Sequence, residues 1–224
     1  MEPSCFRNLS ERLEAFSSAD LYPVITSEFC AGRSPFVVFQ EAVANGAKVV
    51  QLREKSASKR ELFSLAQACR PVANACRALL IINDHVDVAL ATNADGVHLG
   101  QEDIPIEAAR RIAPNLLVGA STHNPEEIQA AQCAGAGYLN IGPLFATQTK
   151  TLSIEALGLD RLREFQPLVQ IPYSVMGGIK MRHIPTLREL GARRIAMVTE
   201  ITQAEDVGAT VRRLREEILK SDTK

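Results

Sequence analysis

Short apolar runs recur along the chain at Leu21–Thr26, Lys48–Leu52, Leu79–Ile82, Gly96–Leu99, Leu116–Ala120, Tyr138–Ile141, Tyr173–Met176 and Arg194–Val198. Continuous runs of this length, without a polar alternation, predict strands buried on both faces. The segments between them carry helix signals. Ser34-Pro35 offers an N-cap and a first-turn proline, and Gly46 a stop. Ser58 and Glu61 make a capping-box pattern ahead of Leu62, Ala66, Cys69, Ala73 and Cys76 at helical spacing, with Pro71 predicted to kink that helix. Asn124-Pro125-Glu126-Glu127 predicts another helix start. The last helix is expected to open with Thr202 and Glu205 and to align Val207, Val211, Leu214 and Ile218 on one stripe.

Strand–helix units at roughly 25-residue intervals imply parallel strands, because each helix returns the chain to the same edge. Eight such units predict the α/β class and a closed (β/α)8 TIM barrel over residues 20–220. Residues 1–19 read as an extra N-terminal helix that would cover the barrel's bottom. The length of 224 residues suits one barrel of roughly 200–250 residues, and 46% hydrophobic content can fill its core.

Charge narrows the function. Lys+Arg 25 against Asp+Glu 26 gives a net charge of -1, which argues against nucleic-acid and membrane-surface partners but leaves a local basic pocket open. The polar start MEPSCFRNLSERLEAF lacks a signal-peptide core, and no apolar run is long enough to span a bilayer, so a cytoplasmic protein is expected. Cys5, Cys30, Cys69, Cys76 and Cys133 are odd in number without C-x-x-C spacing, which reads as buried, reduced thiols rather than a zinc site.

In these barrels chemistry sits just after each strand. Asp84 and Asp103 follow different strands there, and two carboxylates with substrate phosphate oxygens and water make a Mg²⁺ site. Capping of the next helix is the simpler role for either one alone. Arg53, Lys55 and Lys150 are cations near apolar strand ends, where burial is costly unless an anion meets them. Arg53 and Lys55 alternate with Glu54, so both can face the mouth while Glu54 turns away. Gly177-Gly178 and Val198-Thr199 follow strands seven and eight, a common phosphate-binding place in barrels. Two anion sites emerge, one metal-assisted and one metal-free. Of the histidines, His98 reads as core, His85 and His183 as solvated helix starts, and His123 as a residue able to touch substrate.

These residues lie in a recognisable series: QLREK (51–55), IND (82–84), GVHLGQED (96–103), ASTH (120–123), GPLFATQTK (142–150) and GGI (177–179). Over roughly residues 20–218 the series resembles the thiamin phosphate synthase family in order and spacing. The resemblance implies a Mg²⁺-dependent transferase that joins hydroxymethylpyrimidine diphosphate to a thiazole phosphate and releases diphosphate. By motif, Gln51, Arg53, Lys55, Asn83, Ser121 and Lys150 would hold the pyrimidine diphosphate, with Arg53, Lys55, Ser121 and Lys150 acting in catalysis. Asp84 and Asp103 would hold Mg²⁺, and Thr147, Thr149, Gly178, Val198 and Thr199 the thiazole phosphate.

Three features depart from the family pattern or stand beside it. Thr26-Ser27 replaces a frequent Thr-Asp, and Val198-Thr199-Glu200 replaces Val-Ser-Ala, so Glu200 is expected to point away from the phosphate. The segment 151–156 is a candidate lid over substrate. Two alternatives share the barrel: a thiazole tautomerase, which would use His123 for proton transfer, and a non-catalytic sensor of thiamin precursors. Asn83, Asp84, Asp103 and Lys150 together favour the synthase. Barrels of this size are often homodimers, though no residue fixes that state.

Overall fold

All eight apolar runs form strands in the computed structural model, which describes residues 2–147 and 156–220. They are β1 (Leu21–Ile25), β2 (Val49–Leu52), β3 (Leu79–Asn83), β4 (Gly96–Leu99), β5 (Leu117–Thr122), β6 (Tyr138–Ile141), β7 (Tyr173–Val175) and β8 (Ile195–Met197). Every neighbouring pair is parallel, and β8 returns to β1 through Leu21 opposite Ile195, closing the barrel. The helices are α1 (Leu9–Ser17), α2 (Pro35–Ala44), α3 (Lys59–Cys76), α4 (Val86–Ala91), α5 (Ile106–Ile112), α6 (Pro125–Cys133), α7 (Gly158–Phe165), α8 (Ile184–Glu189), α9 (Thr199–Thr202) and α10 (Val207–Leu219).

The period-2 alternation of strand side chains divides the apolar residues into two cores. Leu21, Ile25, Val50, Leu52, Leu80, Ile82, Val118 and Leu139 face outward and are sealed by the helices. Tyr22, Val24, Val49, Leu79, Ile81, Leu117, Tyr138 and Ala196 fill the barrel interior. Along that inward face, polarity changes with height. Gln51 follows Val49 by one alternation, Asn83 follows Ile81, Asn140 follows Tyr138, and Ser121 lies two alternations after Leu117. All four polar residues are buried. The lower interior is therefore apolar, and the floor beneath the C-terminal mouth is polar.

Helix α1 lies on the closed end. Its Phe16 is fully buried, stacks on Tyr138 at 4.0 Å between ring centroids and meets Tyr22 edge-on at 5.9 Å. Burying such a ring contributes about 1.5–3 kcal/mol.

The helix starts follow their capping chemistry. Ser58 and Glu61 form the reciprocal box, and Asn124 and Ser34 accept first-turn N–H groups; each such cap is worth about 1 kcal/mol. α3 runs on through Pro71, which is exposed, so the carbonyl that loses its partner faces water. The final helix starts later than the sequence suggests. Asp206 caps α10 by accepting from Ala209 N–H at 2.7 Å, while Thr202 ends α9 and donates to the Phe29 carbonyl at 2.7 Å. All five cysteines are free; Cys30 and Cys69 are buried, but Cys133 is exposed, against the expectation of burial.

Candidate active site

The strand register brings those predicted residues that the structure describes to one mouth. Asn83 at the end of β3 is paired with His98 on β4, and Ser121 on β5 with Asn140 on β6. Directly after β3 the chain turns through Asp84 in the left-handed region, φ 62°, with its N–H donating to the His98 carbonyl at 2.8 Å. A non-glycine residue held there costs on the order of 1–3 kcal/mol and tends to mark a functional position. Beyond β4, Gly100 N–H donates to Asp103 Oδ2 at 2.6 Å, which folds that loop back over the strand end.

The two acidic side chains end up as neighbours. Burial pushes the Asp103 carboxyl above its ordinary value, and hydrogen bonding to Asp84 and that residue's charge push it the same way; Gly100 N–H and Lys55 oppose them. Lys55 Nζ lies 2.5 Å from Asp84 Oδ2. Arg53 is half-buried, and burial lowers its guanidinium below the usual range, opposed foremost by the charge of Asp84. Glu54 turns away as expected: its Oε1 accepts from Ser27 N–H at 2.9 Å, at the end of β1. Thus Arg53, Lys55, Asp84 and Asp103 form one charged cluster.

Among the described residues, no three His, Cys, Asp or Glu side chains gather into a closed metal cage. Two adjacent carboxylates with the remaining positions open suit Mg²⁺, which keeps waters and takes substrate phosphates rather than a full protein shell. Asp84 and Asp103 fit that ion.

Below the cluster runs a hydrogen-bonded chain that sequence reasoning missed. Gln51 Nε2 donates to the Tyr22 hydroxyl at 2.8 Å, and that hydroxyl meets Tyr138 Oη at 2.8 Å. Tyr138 Oη meets His98 Nδ1 at 3.0 Å, and His98 Nε2 meets Ser121 Oγ at 3.0 Å. His98 is indeed buried, yet it is more than filler: it links the predicted pyrimidine residues Gln51 and Ser121 through the barrel interior. Gly119 makes the chain possible, since a Cβ there would sit 2.0 Å from the Tyr138 ring. Only the alternation of inward positions, applied to tyrosine and histidine, could have signalled this network.

On the other side of the mouth, the loop after β6 packs on the turn after β7. Leu144 and Phe145 N–H groups donate to the Met176 and Gly177 carbonyls at 2.9 and 3.0 Å. Gly177 and Gly178 both have positive φ, and a Cβ on Gly178 would lie 2.4 Å from the Ala146 carbonyl oxygen. The glycine therefore lets the segment that leads into Thr147 approach the β7 turn. Val198 and Thr199 lie at the start of α9, where Thr199 Oγ1 accepts from Lys180 Nζ at 3.3 Å. Glu200 accepts from Met181 N–H at 3.0 Å and pairs with Lys180 at 3.0 Å. Thr149, Lys150 and residues 151–155 of the expected lid lie outside the described residues.

The outer histidines differ from a solvated reading. His183 is half-buried, stacks on Phe145 at 4.0 Å and accepts from Lys180 N–H at 3.1 Å; burial lowers its imidazole below the usual range. His85 precedes α4 and is also half-buried. His123 sits at the mouth, with Nδ1 2.5 Å from the Gly142 carbonyl.

This arrangement can be set beside known proteins. The model of the family described as thiamine monophosphate synthase matches residues 21–201. The chain belongs to that family. A thiamine-phosphate synthase from Chloroflexus aurantiacus is 44% identical over 195 residues, covering 87% of this chain and 90% of the relative. One from Pyrococcus horikoshii is 39% identical over 217 residues, covering 95% and 99%. Among solved structures, thiamine phosphate pyrophosphorylase from Pyrococcus furiosus superimposes with a TM-score of 0.83 at 35% identity, covering 91% of this chain and 96% of that one. The thiamine monophosphate synthase match spans β1 to α9, so both proposed anion sites fall within it.

Proposed function

We propose that this chain is a Mg²⁺-dependent thiamin phosphate synthase, condensing hydroxymethylpyrimidine diphosphate with a thiazole phosphate and releasing diphosphate. The observation that carries the reading is the division of one barrel mouth between a charged cluster at β2–β4 and a glycine turn with a threonine at β7–β8. A reaction between two phosphorylated partners needs two such sites. The family relationship points the same way.

In this reading Gln51, Asn83 and Ser121 hold the pyrimidine over the polar floor, with the Tyr22–Tyr138–His98 chain fixing Gln51 and Ser121. Arg53 and Lys55 face the diphosphate and stabilise negative charge as the C–O bond breaks, leaving a pyrimidinylmethyl cation. Mg²⁺ at Asp84 and Asp103 would supply further charge to the departing group. Thr147, Gly178, Val198 and Thr199 hold the thiazole phosphate so that its ring nitrogen captures the cation, with no protein nucleophile required. Holding both partners in attacking geometry supplies several kcal/mol. Small-molecule substrates, a cytoplasmic setting and a homodimeric assembly belong to the same proposal. Among the described residues no helix is long and apolar enough to cross a membrane.

The test is direct. Purified protein with Mg²⁺ and both substrates should release diphosphate only when the thiazole phosphate is present. Release independent of the second substrate, or none at all, would overturn the proposal.

A further inference from the structure

We propose that Lys180 is a direct cationic ligand of the phosphomonoester at the metal-free site, held in place by Glu200. The inference rests on reading Gly178, Val198 and Thr199 as that phosphate site, and adds a residue that neither the family motifs nor the sequence pattern picked out. Lys180 Nζ lies 3.3 Å from Thr199 Oγ1 and 3.0 Å from Glu200 Oε2. A long surface lysine would ordinarily sample many rotamers, but this one is held at both ends, by its backbone N–H and by its amine. Its own N–H donates to His183 Nδ1, the His183 ring stacks on Phe145, and the next N–H, of Met181, donates to Glu200 Oε1.

The backbone donors of the β7 turn and of the start of α9 are open. Among the described residues, the N–H groups of Gly178, Ile179 and Thr199 donate to no protein acceptor. An anion taking those hydrogen bonds and the Thr199 hydroxyl would come within reach of Lys180 Nζ. The donor arithmetic closes as well. An ammonium has three N–H donors, enough for Glu200, Thr199 and one phosphate oxygen, and a hydroxyl can accept from lysine while donating to phosphate. Glu200 does not spoil the site, because Lys180 and Met181 N–H compensate its charge. A phosphomonoester carries nearly two negative charges and is the anion that benefits most from an added cation. The site would therefore favour the phosphorylated thiazole over the free alcohol.

The alternative is that Lys180 merely neutralises Glu200, and a double-substitution experiment separates the two. Dissociation constants for the thiazole phosphate and for inorganic phosphate are measured by calorimetry on the full chain, with melting curves confirming that each variant is folded. Lys180→Met should weaken thiazole phosphate binding about tenfold or more. Lys180→Arg should restore most of it, and Glu200→Ala should change affinity by less than about threefold, because the cost of freeing the lysine is offset by removing a negative charge beside the phosphate. The deciding variant is Lys180→Met in the Glu200→Ala background. A further loss of about tenfold supports direct contact, and an unchanged constant overturns it. Because binding is read without turnover, an inactive wild type that still binds the phosphate would sink the functional reading and not this one. A wild type that binds no phosphomonoester would overturn both.

Discussion

The carboxyl of Asp103 has the negative charge of Asp84 as its neighbour, although the two follow different strands. Two like charges placed side by side are unfavourable unless a cation or a proton intervenes. Lys55 lies on Asp84, and the Gly100 N–H on Asp103, but neither bridges the pair.

The raised Asp103 value makes a stability prediction whose sign can be worked out. A carboxyl that holds its proton more tightly when folded stabilises the protein at pH below its ordinary value of 3.8, and that contribution is lost as pH rises through the folded value. At neutral pH, without Mg²⁺, the ionised group is a burden. Asp103→Asn should then raise Tm slightly, by no more than about 2 °C. The gain should fade as the pH is brought below 3.8. A lower Tm than the wild type at neutral pH would contradict this.

The buried chain beneath the site predicts a coupled loss. Tyr138→Phe keeps the ring against Phe16 but leaves the Tyr22 hydroxyl and His98 Nδ1 short of a buried partner. Urea unfolding should show a loss of roughly 1–3 kcal/mol. KM for the pyrimidine diphosphate should rise as Gln51 and Ser121 loosen, while KM for the thiazole phosphate stays nearly constant. Unaltered stability and KM would show that the chain positions nothing.

His123 separates the synthase from a tautomerase. Its Nδ1 is engaged with the Gly142 carbonyl, a contact suited to orienting the loop after β6. His123→Asn should cost less than about tenfold in coupling rate, whereas loss of a general acid or base costs about 10²–10⁴-fold. Steady-state rates on the purified variant decide between them.

The barrel was legible because parallel strands buried on both faces must be continuously apolar, and each such run marks itself. The strand-end rule likewise located Arg53, Lys55, Asp84 and Asp103, whose spacing follows from the alternation of strand and helix. What stayed hidden depends on long-range geometry. No local pattern tells that Gly119 leaves room for the Tyr138 ring, or that His98 bridges Tyr138 and Ser121. The start of α10 was missed because Thr202 and Asp206 are both capable caps, and the Phe29 carbonyl claims the Thr202 hydroxyl. Glu200 looked misplaced from sequence alone, since its partner Lys180 comes from another strand end.

The most direct test of the account is calorimetric titration of both substrates against Asp84→Ala and Asp103→Ala in the presence of Mg²⁺. Either substitution should weaken pyrimidine diphosphate binding about 100-fold, roughly 2.7 kcal/mol. Affinity for the thiazole phosphate should stay within about threefold of wild type, since its site draws on other strands. Equal weakening of both ligands, or no weakening of the diphosphate, would contradict two separate anion sites at one barrel mouth.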